Sequence, residues 1–154
     1  MNRVSNAIIL FIAQGAYSGR SPVMPGTAGT LVGVLLYFGM AGFSHASYGA
    51  FCVLLFLTGT WVAGRAEVLL GKRDSPSIVL DEIVGYLTAM LLVPHTWDFA
   101  AAGFVLFRIF DILKSWPLKR VQDLHGGPGV MLDDIGAGVY TNIVLQIAAH
   151  LIAR

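Results

Sequence analysis

The longest uncharged run of the chain limits its possible folds more than any other feature. No Lys, Arg, Asp or Glu occurs between Arg20 and Arg65. A helix crosses the roughly 30 Å hydrocarbon core of a bilayer in about 20 residues, so residues 21–64 are long enough for two membrane spans. The stretch 42–49, which contains Gly, Ser and His, is the natural turn between them.

The composition agrees with a membrane protein. Hydrophobic residues make up 56% of the chain and charged residues only 12%, whereas about 25% charged residues is usual in soluble domains. We expect one domain over residues 1–154, with its N-terminal segment retained because it lacks the pattern of a cleaved signal peptide. The formal net charge of +1 gives no basic field for nucleic acid. The single Cys52 excludes an intramolecular disulfide and a Cys-based zinc cluster.

We therefore predict an all-α, polytopic membrane protein, a compact bundle of about four to six helices with active-site loops on one face. The third and fourth predicted helices are short for membrane spans, which allows tilt, re-entry or local thinning of the bilayer. Residues 4–19 have two interpretations, an interfacial helix or one arm of a hairpin. The predicted helices are 28–42, 48–70, 81–93, 98–113 and 134–152.

Basic residues predict the orientation, because Lys and Arg concentrate in cytoplasmic loops. With four spans, the loops that contain these residues fall on one side, which we assign to the cytoplasm. The turns on the other side, 44–47 and 94–96, contain neither Lys nor Arg. Trp97 and Trp116 stand where aromatic anchors at the membrane interface are expected. The basic residues that set the cytoplasmic side are Arg3, Arg20, Lys72, Arg73, Lys114, Lys119 and Arg120.

Acidic residues gather at helix ends on that same side. A carboxylate at a membrane boundary is costly without a partner, and one divalent cation offsets several carboxylates at once. Hard oxygen ligands favour Mg²⁺, which commonly bridges carboxylates to a substrate phosphate. We therefore predict a Mg²⁺ site formed by Asp81, Glu82, Asp111, Asp133 and Asp134.

Helix capping is the alternative for the two adjacent acidic pairs. Asp81 with Glu82, and Asp133 with Asp134, each stand at the start of a predicted helix, where acidic side chains satisfy free N–H groups and the helix dipole. Capping and metal binding can coexist, because the two carboxylates of a pair point in different directions.

Arg108, Asp111 and Lys114 recur every three residues, so they lie along one side of a helix. One interpretation is a ladder of ion pairs, which contributes little at a surface. The other gives Asp111 to the metal and lets Arg108 and Lys114 bind a phosphate. Spacing alone leaves both open.

Two Gly-rich segments lie on the same side as the acids. Residues 21–30 precede an apolar helix, whose N-terminus suits anion binding. Thr27 and Thr30 are therefore candidate phosphate contacts, with helix capping as the alternative role. The segment is not a P-loop, because the Gly-Lys-Ser/Thr element is missing. Residues 126–129 are a flexible loop or a second phosphate-approach loop, and His125 beside them is the only histidine on this side.

Four motifs follow one another along residues 19–138. They are Pro22-Val-Met-Pro-Gly-Thr-Ala-Gly-Thr30, Asp81-Glu-Ile-Val-Gly85, Phe107-Arg-Ile-Phe-Asp-Ile-Leu-Lys114 with Trp116-Pro117, and Gly126-Gly-Pro-Gly-Val-Met-Leu-Asp-Asp134 with Ala137-Gly138. In this order they resemble the phosphatidylglycerophosphatase A family. Ser115, where the family often has Pro, and Met24, where a small residue is common, depart from its pattern without removing a charge.

The resemblance implies a Mg²⁺-dependent phosphomonoesterase that converts phosphatidylglycerophosphate to phosphatidylglycerol at the cytoplasmic face of a bacterial inner membrane. It also implies an all-helical fold. On this hypothesis the five acids hold one or two Mg²⁺ ions. Arg108 and Lys114 complete the catalytic set by offsetting phosphoryl charge, and Thr27, Thr30 or nearby amides contact the phosphate.

Other functional classes fit less well. A small divalent-cation transporter or channel subunit would place acids at several membrane depths, whereas these cluster at one face. The helix motif of the CDP-alcohol phosphotransferases and the motifs of the phosphatidic-acid phosphatases are missing from the sequence. A scaffold subunit would leave the acids at the helix ends unexplained.

Overall fold

The computed structural model describes residues 2–113 and 127–153. These residues form six α-helices and one short 3-10 helix, and no β-strand occurs among them, which confirms the predicted all-α bundle. The helices are α1 (Arg3–Ala13), α2 (Pro25–Gly39), α3 (His45–Leu70), α4 (Leu80–Ala89), α5 (Trp97–Leu113) and α6 (Gly127–Ile152), with the 3-10 helix Ser18–Arg20 between α1 and α2.

Helix α4 is the centre of the bundle, where it packs against α2, α3, α5 and α6. It is apolar around most of its circumference, and only Asp81 and Glu82 in its first turn carry charge. A helix that is apolar all round is buried, and α4 is buried along nearly all of its ten residues. At 1.5 Å per residue it is about 15 Å long, roughly half of what a membrane span needs. It therefore does not cross a membrane by itself.

Helices α4 and α6 approach closely at two glycines. A Cβ at Gly138 would collide with the backbone carbonyl oxygen of Gly85. A Cβ at Gly85 would lie 2.7 Å from the carbonyl oxygen of Asp134. Small residues at a crossing let two helix backbones meet, which is a common packing device in membrane bundles.

Two further contacts use the same device. Gly29 of α2 packs on Val79, the residue that precedes α4, and a Cβ there would lie 2.5 Å from the Val79 Cβ. Gly127, at the start of α6, packs against the backbone of Thr60 in α3. Helices α2, α3 and α6 are thereby drawn in around α4.

Helices α3 and α6 are long and apolar enough to cross a membrane, judged by length and composition. Only 28% of the apolar window of α3 and 22% of that of α6 is buried inside the protein, whereas a core helix of a soluble protein is mostly buried. Leu54 and Leu57 of α3, and Ile143 and Ile147 of α6, are large exposed apolar side chains. This surface is suited to contact with lipid acyl chains.

Helix α1 favours one of the two interpretations of residues 4–19. Its 11 residues give a length of about 16 Å, too short for a span. Val4, Ile8 and Phe11 are exposed, while Ile9 and Ala13 are buried in a cluster with residues of α3. A short helix with one apolar face free is the form of an interfacial helix rather than of a hairpin arm.

Five predicted helix boundaries are wrong by three residues or more. Helix α2 ends at Gly39 rather than at residue 42, and α3 begins at His45 rather than at residue 48. Helix α2 begins at Pro25 rather than at residue 28, because proline is well suited to the first turn of a helix. Helix α4 ends at Ala89 rather than at residue 93, because the chain then turns, with Leu92 at φ +59°. Helix α6 begins at Gly127 rather than at residue 134, since Gly127 packs tightly on the backbone of α3.

Gly138→Ala is expected to destabilise the fold. The new Cβ would collide with the Gly85 carbonyl, so α4 and α6 must move apart, and overpacking of this kind costs about 1–3 kcal/mol. Thermal unfolding of the purified protein in detergent measures the change. Gly39→Ala in α2 is the matched control, because nothing lies within 4 Å of a Cβ built there. Equal unfolding temperatures for the two variants would contradict the close crossing.

Candidate active site

The predicted site segments meet at one end of the bundle. The first turns of α2 and α4, the last two turns of α5 and the second turn of α6 come together there. A Cβ at Gly26 of α2 would meet both Glu82 of α4 and Arg108 of α5. Asp134 of α6 lies beside Asp81 of α4. The predicted common face is confirmed for the segments that the structure describes.

Three carboxylates converge at this end. One oxygen from each of Asp81, Glu82 and Asp134 lies within 4.8 Å of the others. Each side chain also has a buried oxygen with no hydrogen-bond partner among the described residues: Asp81 Oδ1, Glu82 Oε2 and Asp134 Oδ2. Buried polar groups are normally paired, so the group needs a partner that the described side chains do not supply.

Arg108 borders the three carboxylates. Its Nη1 donates to Asp111 Oδ2 at 2.6 Å and lies 3.9 Å from Glu82 Oε1. Its Nε is buried and has no acceptor within the described chain. The predicted Arg108–Asp111 pair therefore exists, but it is part of the acidic site and not a surface ladder. Asp111 in turn interacts electrostatically with Glu82.

Burial raises the pKa of the Asp81 and Glu82 carboxyls above their ordinary values. Loss of solvation is the largest cause for both, because it penalises the charged form. The negative charges of Glu82 and Asp134 raise the pKa of Asp81 further. The hydrogen bond with Asp81 and the charge of Arg108 act in the opposite direction on the pKa of Glu82. A cation at this place would remove much of the cost of keeping these acids ionised.

The three carboxylates fit a hard divalent cation such as Mg²⁺. Oxygen ligands lie about 2.0–2.6 Å from Mg²⁺ or Ca²⁺, so oxygens on opposite sides of one ion are about 4–5 Å apart. The three oxygens all lie within 4.8 Å of one another, so they are close enough to face a single ion of this class. Asp81, Glu82 and Asp134 are therefore the residues that could hold an ion, and their unpaired oxygens are the available donors.

Side-chain capping does not account for either acidic pair. Val79 is the N-cap of α4, and no side chain makes a cap hydrogen bond there. Asp81 and Glu82 still lie in the first turn, where the helix dipole favours negative charge. Asp133 and Asp134 lie in the second turn of α6, beyond its first free N–H groups. Asp133 is buried, accepts a hydrogen bond from the Asp134 amide at 3.1 Å, and is not one of the three converging carboxylates.

The remaining predicted site residues separate in the structure. Thr30 is fully buried, and its Oγ1 donates to the Gly26 carbonyl at 2.9 Å. Thr27 Oγ1 is buried without a described partner, so it is the free hydroxyl in the first turn of α2. The capping alternative for both threonines is wrong, because the N-cap is Met24. Two predicted residues, Lys114 and His125, lie outside the described residues.

The other end of the bundle holds the remaining histidines, as predicted. His45 and His95 line a cavity of about 300 Å³ there, together with Tyr37 and Tyr48. The ring of His95 stacks on Tyr37 with 4.1 Å between ring centroids. These groups pack far from the carboxylates, so they do not contribute ligands to them.

The glycines that position the site were not identified from the sequence in that role. Gly26 leaves room for Glu82 and Arg108, and Gly85 leaves room for the backbone of α6. The spacing of Gly26, Gly29 and Gly33 along one side of α2 is the signal that could have located this packing face.

Comparisons with known proteins point to one family. The family model of Phosphatidylglycerophosphatase A matches residues 11–149. The chain is 37% identical over 141 residues to Phosphatidylglycerophosphatase A of Escherichia coli, which covers 90% of this chain and 82% of that protein. It is 36% identical over 143 residues to the protein of the same name from Haemophilus influenzae, with 89% and 86% covered.

A third relative has a different name. The chain is 38% identical over 152 residues to a protein of Bacteroides thetaiotaomicron that is provisionally named a phosphatidylinositol-3-phosphatase, with 93% of this chain and 94% of that protein covered. No solved structure matches the chain.

Mg²⁺ is expected to raise the unfolding temperature of the protein, and Asp81→Asn is expected to weaken this effect. The neutral amide relieves repulsion between the acids but is a poorer ligand, so the variant should be at least as stable as wild type in EDTA. A ligand at one hundred times its Kd stabilises the fold by about 2.7 kcal/mol. Thermal unfolding in EDTA and across a Mg²⁺ titration measures both effects. The control is Asp98→Asn, an exposed acid in the first turn of α5. An unchanged Mg²⁺ response in Asp81→Asn would contradict the assignment.

Proposed function

The chain belongs to the phosphatidylglycerophosphatase A family, and we propose that it is a Mg²⁺-dependent lipid phosphatase that hydrolyses phosphatidylglycerophosphate to phosphatidylglycerol and phosphate. The observation that carries the proposal is the group of three buried carboxylates with unpaired oxygens beside Arg108. Carboxylates that hold Mg²⁺ next to an arginine are a recurring arrangement for phosphoryl transfer, where positioning and charge neutralisation supply most of the catalysis.

Asp81, Glu82 and Asp134 are the residues assigned to the ion, with Asp111 and Asp133 beside them. When bound, Mg²⁺ supplies Lewis-acid stabilisation of phosphoryl oxygens and activation of a water as nucleophile. The unpaired oxygens of the three carboxylates support this assignment.

The protein's own cations and hydroxyl groups are assigned to the phosphate. Arg108 is held by its 2.6 Å ion pair with Asp111, which leaves its buried Nε free to donate to a phosphoryl oxygen. Thr27 Oγ1 is a second buried donor without a partner. Thr30 already donates to Gly26, so its role is to hold the first turn of α2. Lys114 is proposed as a further phosphate contact from its three-residue spacing after Asp111 in the sequence alone.

We place the protein in the bacterial inner membrane as a multi-pass protein, with the carboxylate end of the bundle toward the cytoplasm. The exposed apolar surfaces of α3 and α6 support a membrane location. Lys72 and Arg73 follow α3 at the carboxylate end, and cytoplasmic loops are enriched in such residues. The headgroup of a lipid substrate would then lie at the depth of the acids.

Two other functions are addressed by the same experiments. The name of the Bacteroides thetaiotaomicron relative makes phosphatidylinositol 3-phosphate a rival substrate, and it too carries a phosphomonoester. A divalent-cation transporter is disfavoured, because the described acidic site lies at one end of the bundle rather than along a path through it.

Asp134→Asn is expected to lower phosphate release from phosphatidylglycerophosphate by about 100-fold or more, because it removes a charged ligand and the charge stabilisation it supports. Phosphate release in detergent micelles, with Mg²⁺ and with EDTA, measures the effect, and Asp98→Asn is the matched control. Phosphatidic acid and phosphatidylinositol 3-phosphate are assayed in parallel to rank the substrates. Wild-type release that EDTA does not reduce, or an Asp134→Asn variant with wild-type activity, would refute the proposed site.

Thr27→Val and Thr30→Val separate the two threonine assignments. Loss of the free Thr27 hydroxyl should raise the KM for the lipid about tenfold, the usual size for a hydrogen bond to a charged group. Thr30→Val should mainly lower the unfolding temperature, because its hydroxyl is used within α2. Steady-state kinetics and thermal unfolding of both variants test this. Equal changes in KM would show that the two hydroxyls do not differ in role.

A further inference from the structure

The turn between α1 and α2 has a strained backbone that is fixed to the start of α4. Gly15, Ala16 and Tyr17 have φ values of +51°, +53° and +68° in succession. Non-glycine residues seldom adopt this conformation, and where they do, the surrounding structure enforces it. Here the Val79 amide donates to the Ala13 carbonyl at 2.9 Å.

Gly15 and Gly19 complete the docking of this turn. A Cβ at Gly15 would lie 2.8 Å from Ile83 Cδ1 of α4, and a Cβ at Gly19 would collide with the Ser77 carbonyl. The turn therefore occupies a defined position against residues 77–83, the segment that contains Asp81 and Glu82.

Arg20 is held in place by this turn. Its Nε donates to Gln14 Oε1 at 2.8 Å, and its guanidinium carbon lies 4.1 Å from the centre of the Tyr17 ring, a cation–π contact. Arg20 is exposed, and its two terminal amino groups have no acceptor among the described residues. An arginine normally loses rotamer freedom when it binds, and these two contacts remove most of that freedom in advance.

Gln14, which supports Arg20, is itself buried. It is 3% exposed, and its Nε2 donates to Ser77 Oγ at 3.3 Å, while Ser77 and Ser75 share a hydrogen bond of 3.1 Å. The side-chain oxygen of Gln14 accepts from Arg20, and its side-chain nitrogen donates to the loop before α4. Gln14 therefore links the position of Arg20 to that of the segment that contains Asp81 and Glu82.

Arg20 is also linked to the segment that contains the carboxylates, and it lies beside an exposed aromatic side chain. Ser77 and Asp81 are four residues apart, so their Cα atoms are at most about 15 Å apart. Six residues after Arg20, Gly26 packs on Glu82 and Arg108. On the other side, the exposed Phe11 and Tyr17 rings contact each other at 5.2 Å between centroids. Aromatic side chains of this kind sit at the headgroup level of a membrane.

We propose that Arg20 binds the phosphodiester group of the lipid substrate while the carboxylate site acts on its terminal phosphomonoester. This inference rests on the proposed function. Phosphatidylglycerophosphate carries both groups, separated by a glycerol, and phosphatidylinositol 3-phosphate also carries both. Phosphatidic acid has the monoester only. A guanidinium with two free amino groups pairs with two phosphate oxygens at once, so Arg20 favours lipids with a phosphodiester over phosphatidic acid.

Steady-state kinetics of Arg20→Ala in neutral detergent, with no other anionic lipid, test the proposal. Its kcat/KM for phosphatidylglycerophosphate should fall about tenfold, mainly through KM, with a change of about twofold or less for phosphatidic acid. Arg20→Lys should be intermediate, because it keeps the charge and loses the paired donors. Lys72→Ala removes an exposed charge from the same end of the bundle and should leave the substrate preference unchanged. Equal losses on both lipids in Arg20→Ala would overturn the proposal.

Gln14→Leu tests the support of Arg20. It should raise the KM for phosphatidylglycerophosphate without lowering kcat, and it should leave the kinetics with phosphatidic acid unchanged. A fall in kcat with both substrates would mean that Gln14 only maintains the fold, and that Arg20 is not positioned by it.

A binding measurement separates this inference from the proposed function. Phosphatidylglycerol has the phosphodiester and no monoester. In neutral micelles, wild type and Lys72→Ala should therefore bind phosphatidylglycerol more tightly than diacylglycerol. Arg20→Ala should bind the two lipids equally. This expectation holds whether or not phosphate release is observed, and equal binding by all three proteins would overturn the assignment of Arg20.

If the kinetic defect of Arg20→Ala appears only when phosphatidylglycerol is added to the micelles, Arg20 holds a neighbouring lipid and the proposal is wrong.

Discussion

The close crossing of α4 and α6 at Gly85 and Gly138 is the contact on which the acidic site depends. Gly85 lies one helical turn after Asp81, and Gly138 lies one turn after Asp134. Residues four apart share a face of a helix, so two backbones that touch at the glycines also bring the two aspartates together. Any side chain at this crossing would separate the helices, and the carboxylates would separate with them.

Electrostatics opposes this arrangement, so packing has to maintain it. When ionised, Asp81, Glu82 and Asp134 repel one another in a poorly solvated place. Arg108 offsets this repulsion only in part, because its short contact is with Asp111. Contacts in a membrane bundle come from close packing of small residues, since lipid and protein interior are equally apolar. Glycine packing therefore holds acids at a distance that they would not adopt alone, and a cation bound there would offset the electrostatic cost.

The sequence predicts which motifs lie at the same end of the bundle, and it predicts less about local structure. An uncharged run and the placement of Lys and Arg were enough to predict an all-α bundle whose acidic motifs share one end. The predicted start of α6 is wrong, because glycines usually end helices, whereas Gly127 packs here against Thr60 of α3. The difference between Thr27 and Thr30 was also out of reach, since it depends on a hydrogen bond within α2. Gln14 was overlooked, because a single polar residue after an apolar segment carries no pattern.

A membrane location would explain why the proposed headgroup contact and the proposed metal site lie on different helices. A chain that is 12% charged and exposes long apolar helices can place ionised groups only where water reaches, at the ends of helices and in the turns between them. The N-terminal parts of α4 and α6 bring Asp81, Glu82 and Asp134 together inside the bundle, in an arrangement suited to a cation. In the proposed membrane placement, the turn that follows a short outer helix such as α1 would lie at the depth of lipid headgroups. Arg20, in the 3-10 helix that follows α1, is joined through Gln14 and Ser77 to the segment before Asp81. On the proposed function, this link holds the headgroup and the reacting phosphate in one fixed relation.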